Sequence, residues 1–422
     1  MERIRIENLG PIKKIDLKLR QVIVLIGPQS SGKSTIAKLI TIFRNYNFVD
    51  KSKSFESFLE LYNIKSYVNK TTKISYESKN YSFSYSDLKH SITYVNDDFL
   101  QLIKDHEDFD PSEDEILESF NNNIQRSDIL TKQLNELDKE KNEAEFTALA
   151  TQLNAIQNSI ITHLTKINHS VSTLKKIVSF SKYSVYIPSE RNLFSILSKS
   201  IFSFLNEDIL LPDVFKNFGA LIERTLSKIK KIDIRFLNIR YVLEDNEHLV
   251  IDLKSKQKIS LAEVSSGFQT IIPLIIAIEG FNERGNTNRT FVIEEPELNL
   301  FPKAQYELIK YIIEKCANQN SENDAFNDLI VTTHSPYCLS AFNNCILAGI
   351  QGKNTKALVS KVIPEKYWLN PDNFIAYELY NGKAKNIVDK SSKLIDENYL
   401  DEASEIINSD FNSIFELYKG SV

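Results

Sequence analysis

The stretch that most constrains the fold is "VIVLIGPQSSGKST", Val22 to Thr35. An unbroken apolar run rich in β-branched residues suits a strand buried on both faces, which implies a sheet covered by helices. Gly27 and Gly32 then bracket a loop, and residues 33–46 carry a helical pattern. The succession strand, glycine-rich loop, helix points to an α/β fold. The loop fits G-x-x-x-x-G-K-[ST], and the strand before it and helix after it give that spacing its chemical meaning. The residues Gly27, Pro28, Gln29, Ser30, Ser31, Gly32, Lys33, Ser34 and Thr35 would cradle phosphate oxygens on backbone N–H groups and a helix N-terminus. Lys33 would reach the β- and γ-phosphates, and the Ser34 hydroxyl would hold Mg²⁺.

The rest of the composition narrows the class. Of 422 residues, 42% are hydrophobic and 25% charged, the balance of an ordinary soluble globular protein. A net charge of −5 and a pI near 5.9 give no whole-chain attraction to nucleic acid, so a DNA site would need a local basic patch. Cys316, Cys338 and Cys345 form no CxxC pair and read as reduced, mostly buried thiols of a cytoplasmic protein. The opening "MERIRIENLG" lacks a signal-peptide core, and "IIPLIIAI" is too short to cross a bilayer. A cytoplasmic protein without a membrane partner is expected.

Along the chain, residues 2–7 and 14–26 read as two strands joined at "NLGPI". Residues 47–110 are polar with strand-like alternation, and complete an N-terminal part at 1–110. Between Pro111 and Pro188 there is no glycine or proline, and apolar residues recur at helical spacing. An antiparallel helical hairpin is expected over 111–180, reversing at "DKEKNEAE", with arms of roughly 28 residues and about 40 Å each. Residues 181–345 return to strands and helices, with "YSVYIPSERN" a strand ending at Pro188 and 230–256 a hairpin. The last part, 346–422, reads as a helical segment for an oligomer or partner contact, ending in the amphipathic "YLDEASEIINSDFNSIFELY".

Three further stretches carry chemistry. "FVIEEPELNLFP" is an apolar strand delivering two adjacent carboxylates. Alone, such a pair is an ordinary solvated edge; beside a phosphate loop, Glu294 would hold the Mg²⁺ shell and Glu295 would polarise the attacking water. "LIVTTHSPY" places His334 at a strand end, where it would bond the γ-phosphate or the water. "VSSGFQT" precedes an apolar helix. Ser265 or Ser266 could simply cap it, but free hydroxyls and a glycine at a helix start also make a second anion site.

In that order, P-loop, SSG-x-Q, Glu-Glu and His, the motifs resemble those of the ATP-binding-cassette ATPases. The resemblance implies an ATPase head with a mixed sheet, ATP and Mg²⁺ as cofactors, and a head-to-tail homodimer or higher oligomer. Ser265, Ser266, Gly267 and Gln269 match the signature that closes over the γ-phosphate held by the opposite protomer. Glu295 and His334 then take the catalytic positions. SSGFQ in place of LSGGQ, Glu-Glu-Pro-Glu, the long insertion and "YIPSERN" look like the soluble SMC/RecF/OLD-type cassette ATPases rather than transporter subunits. Many relatives have a histidine where this chain has Phe301, so any role of that histidine is absent.

Other positions stay open. The Q-loop position falls on Gln101 or on the Ser189–Glu190 end of "YIPSERN". Arg191 would contact phosphate or pair with a carboxylate. Fewer than ninety residues follow His334, without Asp-x-Asp, and neither an HNH set nor a CxxC hook is present, so no nuclease of its own is expected. The resemblance therefore extends to stand-alone ATPases of anti-phage systems of Septu or PARIS type, in which the ATPase is sensor and scaffold for a separate effector protein. The alternative is a RecF/SMC-like repair ATPase clamping duplex DNA, with Arg224, Lys228, Lys230, Lys231, Arg235 and Arg240 as either a DNA patch or a solvated face.

Overall fold

In the computed structural model the run Val22–Ile26 forms β3, with all five residues buried. Residues 2–107, 113–136, 143–180, 183–197, 211–282, 288–317 and 327–419 are described. The strand lies in a six-stranded sheet ordered β15 (Lys383–Asn386), β14 (Phe374–Tyr380), β3, β13 (Asp328–Thr333), β12 (Arg289–Glu294), β7 (Tyr183–Ile187). All neighbours pair in parallel except β14 with β15, so the sheet is mixed. β12 and β13 are also buried at every residue, as expected of parallel strands covered on both faces. The expected α/β class holds.

Parallel order has a consequence for chemistry. The C-terminal ends of β3, β12, β13 and β7 share one edge of the sheet, where ligands bind in open α/β folds. α1 (Lys33–Phe43) leaves that edge directly after β3.

Two smaller sheets complete the unit formed by Met1–Thr93 and Ser181–Val422. One orders β2 (Ile12–Leu19), β1 (Glu2–Leu9), β4 (Lys73–Glu77), β5 (Tyr81–Ser86) and β6 (Lys89–Tyr94). The other orders β11 (Lys258–Ser260), β10 (Glu247–Asp252), β9 (Ile239–Glu244) and β8 (Lys231–Ile234). The single strand expected over 14–26 is thus two strands in different sheets. The chain breaks at Arg20, whose guanidinium donates to the carbonyls of Pro371, Asp372 and Phe374 at 3.2, 2.6 and 3.3 Å.

The second unit, Tyr94–Phe180, contains α2 (Asp97–Glu107), α3 (Glu113–Glu136) and α4 (Glu143–Phe180). The arms α3 and α4 are 24 and 38 residues long. Asn123 Nδ2 donates to Ser159 Oγ at 3.2 Å, each at a similar remove from the connection, so the two arms run antiparallel at this contact. Part of the expected reversal, residues 137–142, lies outside the described residues.

The apolar helix after the signature is α6 (Ser266–Asn282), packed beside α5 (Asp213–Leu226). Its residues Ile271, Ile272 and Leu274 to Ile278 are all buried, which explains an apolar run without a polar face. α7 (Pro302–Cys316) and α8 (Pro336–Val362) follow β12 and β13. The boundary expected at 345 is crossed by α8. The segment expected to be helical from 346 also supplies β14, seated against β3, because Phe374, Ala376 and their neighbours bury the flank of the sheet. Only α9 (Tyr399–Lys419) matches the amphipathic helix expected there. No described helix is long and apolar enough to cross a membrane.

Candidate active site

The loop after β3 has the geometry its glycines permit. Gly27 (φ +147°) and Gly32 (φ +101°) occupy conformations that side-chain-bearing residues rarely adopt. A Cβ on Gly27 would meet the Leu379 carbonyl oxygen at 2.2 Å. Lys33 is only 4% exposed, and its Nζ donates to the carbonyls of Gly27 and Pro28, both at 2.8 Å. Burial lowers its pKa to about 8, against the opposing pull of Glu295, Glu297 and Glu294. A cavity of about 370 Å³ opens over the loop, lined by Gln29 to Thr35 together with Gly10, Pro11, Tyr67, Glu295 and His334.

The other chemical residues arrive from neighbouring strand ends. Glu295 follows β12 in a left-handed conformation (φ +42°), with its N–H donating to the Thr332 carbonyl at 2.9 Å. Its Oε1 lies 3.4 Å from His334 Nε2. The hydrogen bond from His334 holds the Glu295 carboxyl below the usual carboxylate range, opposed by burial and helped by the charges of Lys33 and Arg191. Glu297 accepts from Thr333 Oγ1 at 2.7 Å and from the His334 N–H at 2.6 Å, so one buried carboxylate fixes the turn that presents His334. Burial raises the Glu297 pKa. On its other side, His334 Nδ1 lies 3.4 Å from the Tyr399 hydroxyl, at the first residue of α9.

The Mg²⁺ expectation can be tested against the donor set. Glu294 lies behind the cavity wall, buried, and its Oε1 has no hydrogen-bond partner among the described residues. The Tyr186 hydroxyl faces this carboxylate without a bond of good geometry; burial, then the Glu294 charge, raises its pKa far above normal. The Glu294 charge acts on Lys33 of the loop, and a hydroxyl such as that of Ser34 with a carboxylate is a donor set that suits a cation held partly through water. No group of three or more His, Cys, Asp or Glu side chains forms an all-protein metal site among the described residues.

The signature lies elsewhere on the same unit. Ser265 and Ser266 are exposed at the start of α6 and do not line the cavity. The Ser265 carbonyl accepts the N–H groups of Phe268 and Gln269 at 2.9 and 3.1 Å. Gly267 is buried, and a Cβ there would meet the Asn299 carbonyl at 2.7 Å, so close backbone approach excludes larger residues. Gln269 is turned inward, donating to the Ala262 carbonyl at 2.9 Å.

Arg191 meets neither expectation set for it. It is fully buried and donates to four main-chain carbonyls, those of Thr270 (3.2 Å), Pro188 (3.0 Å), Glu294 (2.7 Å) and Glu295 (2.7 Å). Burial lowers its pKa to about 10, opposed by Glu297, Glu295 and Glu294. Ser189 bonds its neighbour Glu190 at 3.0 Å, away from the cavity wall, while Gln101 lies on α2 of the second unit. In the basic cluster Arg240 is tied to Asp233 at 3.0 Å, whereas Arg224, Lys228, Lys230, Lys231 and Arg235 are exposed. All three cysteines are free and buried, and burial raises their pKa values.

Residues 1–339 match the family model described as the AAA ATPase domain, AAA_15. Among solved structures the chain is similar to the Smc head domain of Pyrococcus furiosus with an extended coiled coil, bound to the C-terminal domain of ScpA. That match has 12% identity, covers 97% of this chain and 99% of that one, and has a TM-score of 0.39. A Thermotoga maritima SMC head domain matches with 10% identity, 91% and 97% coverage and a TM-score of 0.37. The recombination mediator RecF of the RecFOR pathway matches with 12% identity, 91% and 97% coverage and a TM-score of 0.32. No curated protein sequence matches.

Proposed function

The chain belongs to the AAA ATPase domain family, and from that premise we propose that it hydrolyses ATP between two copies of itself, arranged head to tail. One observation carries this reading. The P-loop, Glu295 and His334 share a cavity, while Ser265 and Ser266 stand exposed outside it. A helix start with free hydroxyls serves a phosphate it can reach, and in a dimer that phosphate is the partner's. Phe301 is 79% exposed two residues beyond the Asn299 carbonyl that abuts Gly267, which supplies apolar surface for a second protomer to cover.

In this reading the loop N–H groups and Lys33 bind the phosphates, and Ser34 and Glu294 hold Mg²⁺, which would neutralise developing charge on the phosphates. Glu295 accepts a proton from water as its carboxylate, the form that His334, Lys33 and Arg191 favour. Glu297 keeps His334 at the γ-phosphate end of the cavity.

The reading extends to a scaffold for a separate effector in anti-phage defence, as the motif resemblance implies. The exposed, helically spaced Ile407, Phe411, Ile414 and Tyr418 on α9 support a protein partner there. Co-purification with the product of an adjacent gene tests this extension.

Glu295→Gln tests the core of the proposal. It should lower turnover at least about 10²-fold while the ATP-bound dimer accumulates. Lys33→Ala should be equally inactive but remain monomeric with ATP, by size exclusion with light scattering or by cross-linking across the heads. Wild-type turnover in Glu295→Gln would refute the assignment of the base.

A further inference from the structure

Pro273 interrupts α6 shortly after the signature glycine. Without an N–H it cannot serve the Gln269 carbonyl four residues back. That carbonyl instead accepts the Ser195 hydroxyl at 2.9 Å, and the adjacent Thr270 carbonyl accepts Arg191 Nε at 3.2 Å. The same guanidinium holds the carbonyls of Glu294 and Glu295. One rigid fork therefore spans the signature helix and the water-polarising glutamate.

The chemistry of the fork matters. Arg191 is fully buried and makes no ion pair with a carboxylate among the described residues. A buried cation held by carbonyl dipoles is an expensive way to fill space compared with an apolar side chain. What the guanidinium supplies is geometry: several donors in a fixed plane, which neither lysine nor an apolar residue reproduces. Glu295 needs such fixing. Its φ of +42° is unfavourable for a residue with a Cβ, and it is pinned from both sides, N–H to Thr332 and C=O to Arg191.

We propose that Arg191 is a positioning residue that couples the signature helix to Glu295, so that engagement of Ser265–Gly267 with the partner's nucleotide sets the direction of the water-polarising carboxylate. This rests on the composite dimer site proposed above. A displacement of the first turn of α6 moves the Thr270 carbonyl, and the planar fork carries that displacement to the main chain of Glu295. Hydrolysis is thereby restricted to heads whose signature is engaged.

Arg191→Lys and Arg191→Gln test the link, with folding checked by thermal denaturation. Misplacing the carboxylate should cut kcat by about 10- to 10²-fold. Affinity of the isolated protein for a fluorescent ATP analogue should stay within about twofold, since Lys33 and its loop do not touch Arg191. In a Glu295→Gln background, single-turnover rates should show no further loss, because the group being positioned is gone. Additive losses, unchanged kcat, or affinity falling in step with turnover would each overturn the proposal. Should both variants fail to fold, hydrogen exchange of the wild-type protein is the measurement: ATP-driven association should slow exchange of the Glu295 amide together with the amides at the start of α6, and a Glu295 amide indifferent to association would overturn the proposal. An active Glu295→Gln enzyme would be the separate failure of the base assignment.

Discussion

His334 Nε2 stands 3.4 Å from Glu295 Oε1, and this contact is the main influence holding the Glu295 carboxyl below the usual carboxylate range. The carboxylate is the active form of a base, so turnover should be full above the depressed pKa and fall as pH drops through it. In His334→Ala the carboxyl returns toward its ordinary value, so the acidic limb of kcat should move to higher pH while the plateau falls. Rate profiles from about pH 4 upward would show the shift. An acidic limb that stays in place would remove His334 from the control of Glu295.

Lys33 predicts a proton linkage. Its pKa is pulled down to about 8 by burial, so near that pH about half of the free protein carries a neutral amine. Bound phosphates favour the charged form, so ATP binding at pH 8 should take up about half a proton at this residue, and far less at pH 6.5. Calorimetry in buffers of different ionisation enthalpy measures this directly. The linkage also acts on the fold. A lysine with a lowered folded pKa disfavours the native state when charged, so this residue's contribution to stability should rise with pH between about 8 and 10.5.

The exposed signature serines predict complementation. Ser266→Arg should abolish hydrolysis while leaving ATP binding to the monomer nearly intact. Mixing it with Lys33→Ala protein allows heterodimers in which one composite site is unmutated on both sides and can hold ATP, so some activity should return. Verified exchange without recovered activity would refute a site shared across protomers.

Tyr67 lines the cavity and packs its ring over Gly10, whose N–H donates to the Tyr67 carbonyl at 3.2 Å. An aromatic face beside a phosphate loop is suited to a nucleobase. Tyr67→Ala should remove about 0.5–1.5 kcal/mol of stacking, raising KM for ATP about 2- to 12-fold with little change in kcat. A fall in kcat with constant KM would assign the ring a different role.

Tyr399 links α9 to the site through His334 Nδ1. Tyr399→Phe should lower kcat about two- to fivefold, since one neutral hydrogen bond contributes about 0.5–1.5 kcal/mol at most and this one is long. Unchanged kcat would make Tyr399 only part of the helix anchor that its N–H forms with Glu378 at 2.9 Å.

The phosphate loop was legible in the sequence because its geometry is local. Gly27, Gly32 and the start of α1 lie within a few residues, and backbone conformation alone aims their N–H groups at one point. That Glu295 and His334 lie beside the loop was legible for a related reason, since each directly follows an apolar strand and parallel strand ends converge. The two long helices α3 and α4 were legible because helical periodicity is read within one segment. Arg191 could not be read this way. Its partners are 3, 79, 103 and 104 residues distant, and a guanidinium bonded to carbonyls leaves no mark in the identities of the residues that accept from it. The same holds for β14, which joins β3 across some 350 positions, and for Tyr67 and Tyr399, which reach the site from outside every motif. Local backbone geometry determined the shape of the glycine-rich loop. The order of strands in the sheet, a property of the packed core as a whole, decided which side chains surround it.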